Sequence, residues 1–298
     1  MKRISIPAII FISGFIFANA QEYSPLYLRA LQQEEAKRKT HKPLKIEKSK
    51  YLGDADMEFL YLYVCHDPES GLTLDDEFIL QTGEKVSLYS NYGRYRIDSL
   101  TLANNNSGIV DNAEFHTIYD ETPVSFEYIV RNHEENDSLT VYTSTLPTDH
   151  YQYEEAAPLF DWKLSDETKM IGELNCKKAT TTFRGRDWEA WYTEEIPIAE
   201  GPWKFTNLPG LIVKIMDSNG EHVFSLTKVR NTTTPIGISN SYARKTDRQS
   251  FNKLKYETAK NPPIPSLPGM KLTAVEGGDG SNGKPKEVKR FTNFIEKE

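Results

Sequence analysis

The chain has 298 residues, with 36 Lys and Arg against 43 Asp and Glu, and a formal net charge of −7. That balance suits a soluble protein and argues against nucleic acid as the main partner, which demands a basic face.

Residues 1–20 carry the pattern of a secretory signal peptide. Lys2 and Arg3 form a charged start, Ile6 to Phe17 an apolar stretch, and Ala18-Asn19-Ala20 a small-residue cleavage site. The apolar run is short for a membrane span, and polar sequence follows at once. No cysteine stands at the cleavage point, so a lipoprotein anchor is not indicated. A mature chain beginning at Gln21 is expected to be exported, to the periplasm or the extracellular space. Loss of Lys2 and Arg3 takes its net charge to −9. No internal repeat or flexible linker divides the rest, which predicts a single domain.

Residues 21–55 read as a polar leader. Ser24-Pro25 is a cap and first-turn pair for a short helix through about Lys39, and Lys37 to Lys50 is a basic connector. Strand signals begin near Asp56. Phe59 to Cys65 is aromatic and apolar, Asp67 to Gly71 is a turn cluster, and Phe78 to Gly83 and Lys85 to Tyr89 follow as strands. Residues 91–115, rich in Asn, Gly, Ser and Asp, predict a long surface excursion with its tip at Asn104 to Gly108. Short alternating strands resume at Phe126 to Val130 and Leu139 to Thr143.

Thr180 to Phe183, a polar turn at Arg184-Gly185-Arg186-Asp187, and Trp188 to Thr193 predict a β-hairpin. Trp188, Ala190 and Tyr192 share one face of the return strand and Glu189, Trp191 and Thr193 the other. With an aromatic on each face, that strand should be central. Asn219-Gly220 predicts a second hairpin over residues 208–229. Thr246 or Asp247 caps a helix through about Lys260, with Phe251, Leu254 and Thr258 on one face, stopped by Asn261-Pro262-Pro263. Residues 261–298 read as an irregular tail rich in Pro and Gly.

Between the hairpins lies Gly201 to Met216. Pro209 pre-sets the second residue of a β-turn, Gly210 is expected to supply the positive φ of a type II turn, and Leu211-Ile212-Val213 starts a strand buried on both faces. The Asn207-Leu208-Pro209-Gly210-Leu211-Ile212 stretch resembles the signature of the GLPGLI family of exported Bacteroidota proteins, with Asn207 where glycine is usual. The likeness extends to Asp161-Trp162-Lys163-Leu164 and to the run from Glu167 through Cys176 and Lys178-Ala179. It is looser at Leu80, Gln81, Gly83, Ser87, Tyr89, Ser90 and Asp98, and faint at Arg290 to Glu296. Asn tolerates the left-handed region better than other non-glycine residues, so the turn survives the replacement. The family has no settled activity. The strand signals predict a mainly β fold, and analogy with periplasmic carriers of lipids and lipoproteins suggests its curvature. It would be a single domain over about residues 56–260, built on a curved antiparallel sheet or half-barrel with one or two short helices.

Several groups invite a chemical reading. Cys65 and Cys176 in an exported chain suggest a disulfide ahead of a reactive thiol or a metal site. His133-Glu134-Glu135 lacks the second histidine of a zinc helix, since Asp137 occupies that place. Arg184 and Arg186 beside Trp188 and Trp191, with Trp203 nearby, form the candidate binding group for a carboxylate, phosphate or sugar. The competing account pairs those arginines with Asp187, Glu189 or Glu194. No cofactor is implied. The sequence thus points to a non-catalytic envelope protein that binds a lipid, glycan or peptide. The alternative is a hydrolase using His150 and carboxylates such as Asp161 and Glu194.

Overall fold

A computed structural model describes residues 36–122, 126–134, 138–146, 149–156, 160–239, 243–260 and 293–296. Residues 1–20, the proposed helix start at Ser24-Pro25 and the Asn261-Pro262-Pro263 stop lie outside them.

The strands of the first half are β1 (Pro43–Lys45), β2 (Ser49–Asp54), β3 (Met57–Asp67), β4 (Leu72–Thr82), β5 (Val86–Asn91), β6 (Ile109–Asp111), β7 (Tyr128–Asn132), β8 (Ser138–Leu146) and β9 (Asp149–Glu155). Those of the second half are β10 (Lys163–Ile171), β11 (Leu174–Phe183), β12 (Arg186–Thr193), β13 (Leu211–Asp217), β14 (His222–Asn231), β15 (Pro235–Ser239) and β16 (Arg244–Lys245). Helices are α1 (Tyr92–Ala103), α2 (Asn112–Glu121) and α3 (Arg248–Lys260). Twelve strands form one sheet in the order β10-β11-β12-β13-β14-β3-β4-β5-β7-β8-β9-β16. Every pairing in it is antiparallel except that of β16 with β9. The protein is mainly β, a single domain on a curved, unclosed sheet.

The curvature follows from the register. Pairing shifts between Leu164 and Thr168, Trp191 and Tyr192, and Leu226 and Lys228, and such bulges bend a strand and raise its twist. Arg184, beyond β11, donates to Glu155 Oε1 at 3.4 Å on β9, although nine strand steps separate those two strands. The sheet must therefore curl back on itself. Its concave face carries a cross-strand row of Phe59, Leu80, Tyr89, Ile129, Val141 and Tyr153, each opposite the next. Against it pack Trp188, Ala190, Tyr192 and Phe224 from the other half. Burying one such aromatic contributes about 1.5–3 kcal/mol relative to leaving it exposed.

Both hairpins form, but the first turns more tightly than expected: Phe183 pairs with Arg186 and Thr182 with Asp187, so the return strand begins at Arg186 and not at Trp188. The β11–β12 turn consists of Arg184 and Gly185 at φ 51° and 74°, the paired left-handed geometry whose twist matches the strands it joins. Strand β12 lies between β11 and β13, with Trp188 and Trp191 buried on opposite faces. In the second hairpin Ile215 faces Phe224, and Gly220 takes φ 67°. At α3, Asp247 accepts from Ser250 N at 2.9 Å as a cap. The buried residues there are Phe251 and Ala259, while Leu254 is exposed.

Four expectations change. The leader is not peripheral: β2 pairs with β15, and the ribbon they form packs with α1 over Val86, Leu88 and Tyr128. Residues 91–115 hold α1 and the start of α2, because Asn91 caps α1 through Arg94 N at 3.0 Å and Asp98 accepts from Tyr128 Oη at 2.7 Å. Cys65 and Cys176 are free and buried. They sit on β3 and β11, four strand steps apart, on the order of 20 Å at the usual strand spacing and far beyond disulfide reach. Finally, residues 293–296 of the tail are docked on the sheet interior.

Candidate functional site

One end of the concave face opens into a cleft of about 470 Å³. Its floor is a second cross-strand row, in which Met57 faces Thr82, Thr82 faces Ser87 and Ser87 faces Arg131 on four neighbouring strands. Residues directly opposite each other share a face, so this register alone brings their side chains together. His133 lies two residues beyond Arg131 and returns to the same side. Its N–H donates to Lys85 O at 2.9 Å, extending the ladder past β7.

Across the cleft stands the segment from Pro197 to Glu200. Glu200 Oε1 lies 3.3 Å from Arg131 Nε and 3.8 Å from His133 Nε2. Ser87 Oγ is 2.9 Å from that same Nε2. Asp56 and Glu84 complete an otherwise acidic rim.

The remaining wall is Asn207, the first residue of the signature turn. It is exposed, holds φ 68°, and its N–H donates to Ala199 O at 3.0 Å. The left-handed residue of this turn is therefore Asn207; Gly210 has no positive φ. Glycine is needed at 210 for a different reason. A Cβ there would come within 2.0 Å of Thr193 O, so the turn lies directly on the backbone at the end of β12. Ahead of the turn, Trp203, Lys204, Phe205 and Thr206 are all buried, and Phe205 meets Trp188 edge-on at 4.7 Å. The signature stretch fills the hollow of the curved sheet before entering β13.

The arginines and tryptophans singled out in the sequence serve the interior. Arg186 is 4% exposed. Its guanidinium donates to Asp217 Oδ2 at 2.7 Å, Glu221 Oε2 at 2.8 Å, Ile295 O at 3.1 Å, Phe294 O at 3.0 Å and Asn293 Oδ1. Arg184 lies over the Phe183 ring at 4.9 Å and pairs with Glu155. Trp188 donates to Phe183 O at 3.3 Å. Trp191 is buried on the opposite face, donating to Glu189 at 2.8 Å with Lys169 over its ring at 3.7 Å. Trp203 is buried among Phe183, Phe205 and Lys204. Together they hold the hairpin and its neighbours and offer no open ligand surface.

The residues of the hydrolase alternative are dispersed. His150 stacks on Phe126 at 3.8 Å, Asp161 is exposed, and Glu194 pairs with Lys177 on the surface at 2.8 Å. A cysteine–histidine contact does exist, with Cys65 Sγ 3.9 Å from His222 Nε2 and Tyr63 Oη 2.7 Å from His222 Nδ1. Burial pushes the thiol up to about 12 and the imidazole down to about 4, so the proton stays on sulfur and the pair is inert. Among the described residues, no group of three or more His, Cys, Asp and Glu side chains is placed to hold a metal ion. No helix among them is long and apolar enough to cross a membrane.

Sequence reasoning missed His133 and the use of Ser87. His133 stands out only against a zinc template it does not fit, and Ser87 only as part of a strand. Their meeting depends on the β5–β7 register.

Residues 183–214 match the model of a family described as "Protein of unknown function (Porph_ging)", a Bacteroidota-associated domain. That stretch runs from the end of β11 through β12, the interior segment and the turn into β13. No curated protein matches the chain. Among solved structures it is similar to PNGF-II in the P21 and C2 crystal forms, each at 18% identity and a TM-score of 0.46. The matches cover 70% and 68% of this chain, which spans about a third of the length of those proteins (34% and 33%).

Proposed function

We propose that this is an exported, GLPGLI-type envelope protein that binds a polar ligand, a short glycan or peptide, without chemistry. The binding site is the cleft between Ser87, Arg131, His133, Glu200 and Asn207. One observation carries the reading: the signature turn presents the exposed Asn207 to the cleft whose floor holds the Ser87–His133 and Arg131–Glu200 pairs. The accessible His133 imidazole and Asn207 amide, backed by the buried Ser87 hydroxyl and the Arg131–Glu200 pair, suit a neutral or zwitterionic ligand rich in hydrogen-bonding groups. A lipid is disfavoured, because Trp203, Phe205 and Leu208 fill the concave face that would enclose an acyl chain. Export rests on residues 1–20, and N-terminal sequencing of the secreted protein should begin at Gln21.

The test is a thermal-shift screen of the mature protein against saccharides and short peptides. Stabilising compounds should lose their effect on His133→Gln and Asn207→Gly, variants that remove cleft groups while keeping the fold. Hits that stabilise both variants as well as the parent would place binding elsewhere.

A hydrolase reading is favoured by one distance, Ser87 Oγ to His133 Nε2 at 2.9 Å. Against it, the Glu200 carboxylate approaches the same ring nitrogen, whereas an orienting acid belongs on the other one. Ser87 is also only 2% exposed. A fluorophosphonate probe should leave Ser87 unlabelled; labelling of Ser87 in the folded protein would favour the hydrolase.

A further inference from the structure

A second polar site lies among β9, α3, the interior segment and residues 293–296. Lys204 is 1% exposed, yet its ammonium lies 3.0 Å from Glu155 Oε2, 2.6 Å from Glu296 Oε1 and 3.3 Å from Tyr153 Oη. Arg248, on α3, donates to Glu296 Oε2 at 2.9 Å, as does Asn252 Nδ2 at 2.9 Å. Arg184 and Arg248 also face Glu155, at 3.4 and 3.5 Å. Glu296 thus supplies the carboxylate that faces both the buried Lys204 ammonium and Arg248. Removing it would leave Lys204 with Glu155 as its acidic partner among the described residues, an arrangement that carries a penalty in a buried site.

The anion arrives on a short segment, residues 293–296, held at each residue. Arg186 binds the Phe294 and Ile295 carbonyls and the Asn293 side chain. Asn293 Nδ2 donates to His66 O at 2.8 Å, Lys255 lies over the Phe294 ring at 4.6 Å, and Ile295 packs against the main core. Backbone carbonyls, an aromatic, an aliphatic and a carboxylate are each read by a separate group of the sheet or α3. These are the features of a peptide site.

We propose that Arg186, Lys204, Arg248 and Asn252 form a receptor for an acidic peptide of the type Asn-Phe-Ile-Glu, and that residues 293–296 are its tethered ligand. A ligand carried on the same chain competes at an effective concentration on the order of millimolar, so residues 293–296 outcompete a free peptide unless they are removed from the site. Glu296 is held down at about 2 by Lys204 despite its burial, in keeping with a site built for a charged carboxylate.

The probe is a synthetic peptide of residues 290–298, titrated by calorimetry into three full-length chains: the parent, Glu296→Gln and the double variant Asn293→Ala/Phe294→Ala. Both variants should bind the peptide with a Kd at least about tenfold tighter than the parent shows, because their own tails compete poorly. A peptide carrying Glu296→Gln should bind at least about tenfold more weakly than the native one. The double variant keeps the carboxylate and reports on the proposal should Glu296→Gln fail to fold. Equal affinity for the two peptides, equal affinity of parent and variant chains, or no binding to a folded variant would overturn the proposal.

Discussion

Ser87 Oγ and His133 Nε2 lie 2.9 Å apart because β5 and β7 place Ser87 opposite Arg131, two residues before His133. The pair is thus fixed by the sheet register and not by a loop. Its partner across the cleft, Glu200, is fixed by the interior segment that leads into the signature turn. If register positions the site, Arg131→Leu should disturb it without unfolding the sheet. Such a change leaves Glu200 without its arginine in a nearly buried position. With His133 Nε2 still 3.8 Å from the carboxylate, breaking the buried Arg131–Glu200 pair should cost up to about 3 kcal/mol, measurable by urea denaturation.

The turn makes two opposite demands at positions 207 and 210. Gly210→Ala forces a Cβ onto Thr193 O and should cost about 2–3 kcal/mol through overpacking. Asn207→Gly keeps the left-handed φ available and should change stability by less than about 0.5 kcal/mol. Denaturation curves for the two variants check both values, and equal costs would contradict this division of roles.

Acid should act on two buried groups in turn. His222 is held down at about 4 by burial, below its ordinary 6.5. The unfolded chain therefore takes up the proton first, and this contribution is lost as pH falls from about 6.5 to 4. Glu296, held at about 2 mainly by Lys204, contributes stability that is lost as pH falls from about 4.5 to 2. Asp76 opposes the first effect: burial raises it to about 7, so its contribution is lost as pH rises toward 7. The difference between parent and His222→Phe isolates the histidine. That difference should shrink from pH 7 to pH 4, as followed by chemical denaturation at each pH.

Both thiols should be free and unreactive in the native state. Burial raises the Cys65 thiol to about 12 and also raises Cys176. Intact-mass measurement should show no two-hydrogen loss. Alkylation at pH 8 should modify neither cysteine until denaturant is added, then both.

Much of the sheet was legible because its signals are local. Asn219-Gly220 and the Arg184-Gly185 turn specify their hairpins through a few residues of backbone preference. The aromatics on both faces of residues 188–192 announced a central strand. Helix α1 was not legible, because its buried face carries Gly93 and Ile97 with the polar Asp98 and Thr101, which are acceptable there only once Tyr128 and Ser49 supply partners. The cysteines misled for a related reason: compartment and number suggested a bridge, but only strand order fixes their separation. The tail read as irregular because nothing in its own sequence shows that Lys204, 92 residues before Glu296, waits for that glutamate. Arg184, Arg186 and the tryptophans did mark a site of strong interactions, though one internal to the chain.

Binding of a polar ligand in the cleft beside the signature turn is open to direct measurement. The most direct measurement is mass spectrometry of small molecules that co-purify with the protein from the cells that naturally make it, comparing the parent with His133→Gln and Asn207→Gly. A glycan or peptide species retained by the parent and lost from both variants, at unchanged Tm, is the predicted result. A species retained equally by all three proteins, or an acyl lipid in place of a polar molecule, would contradict it.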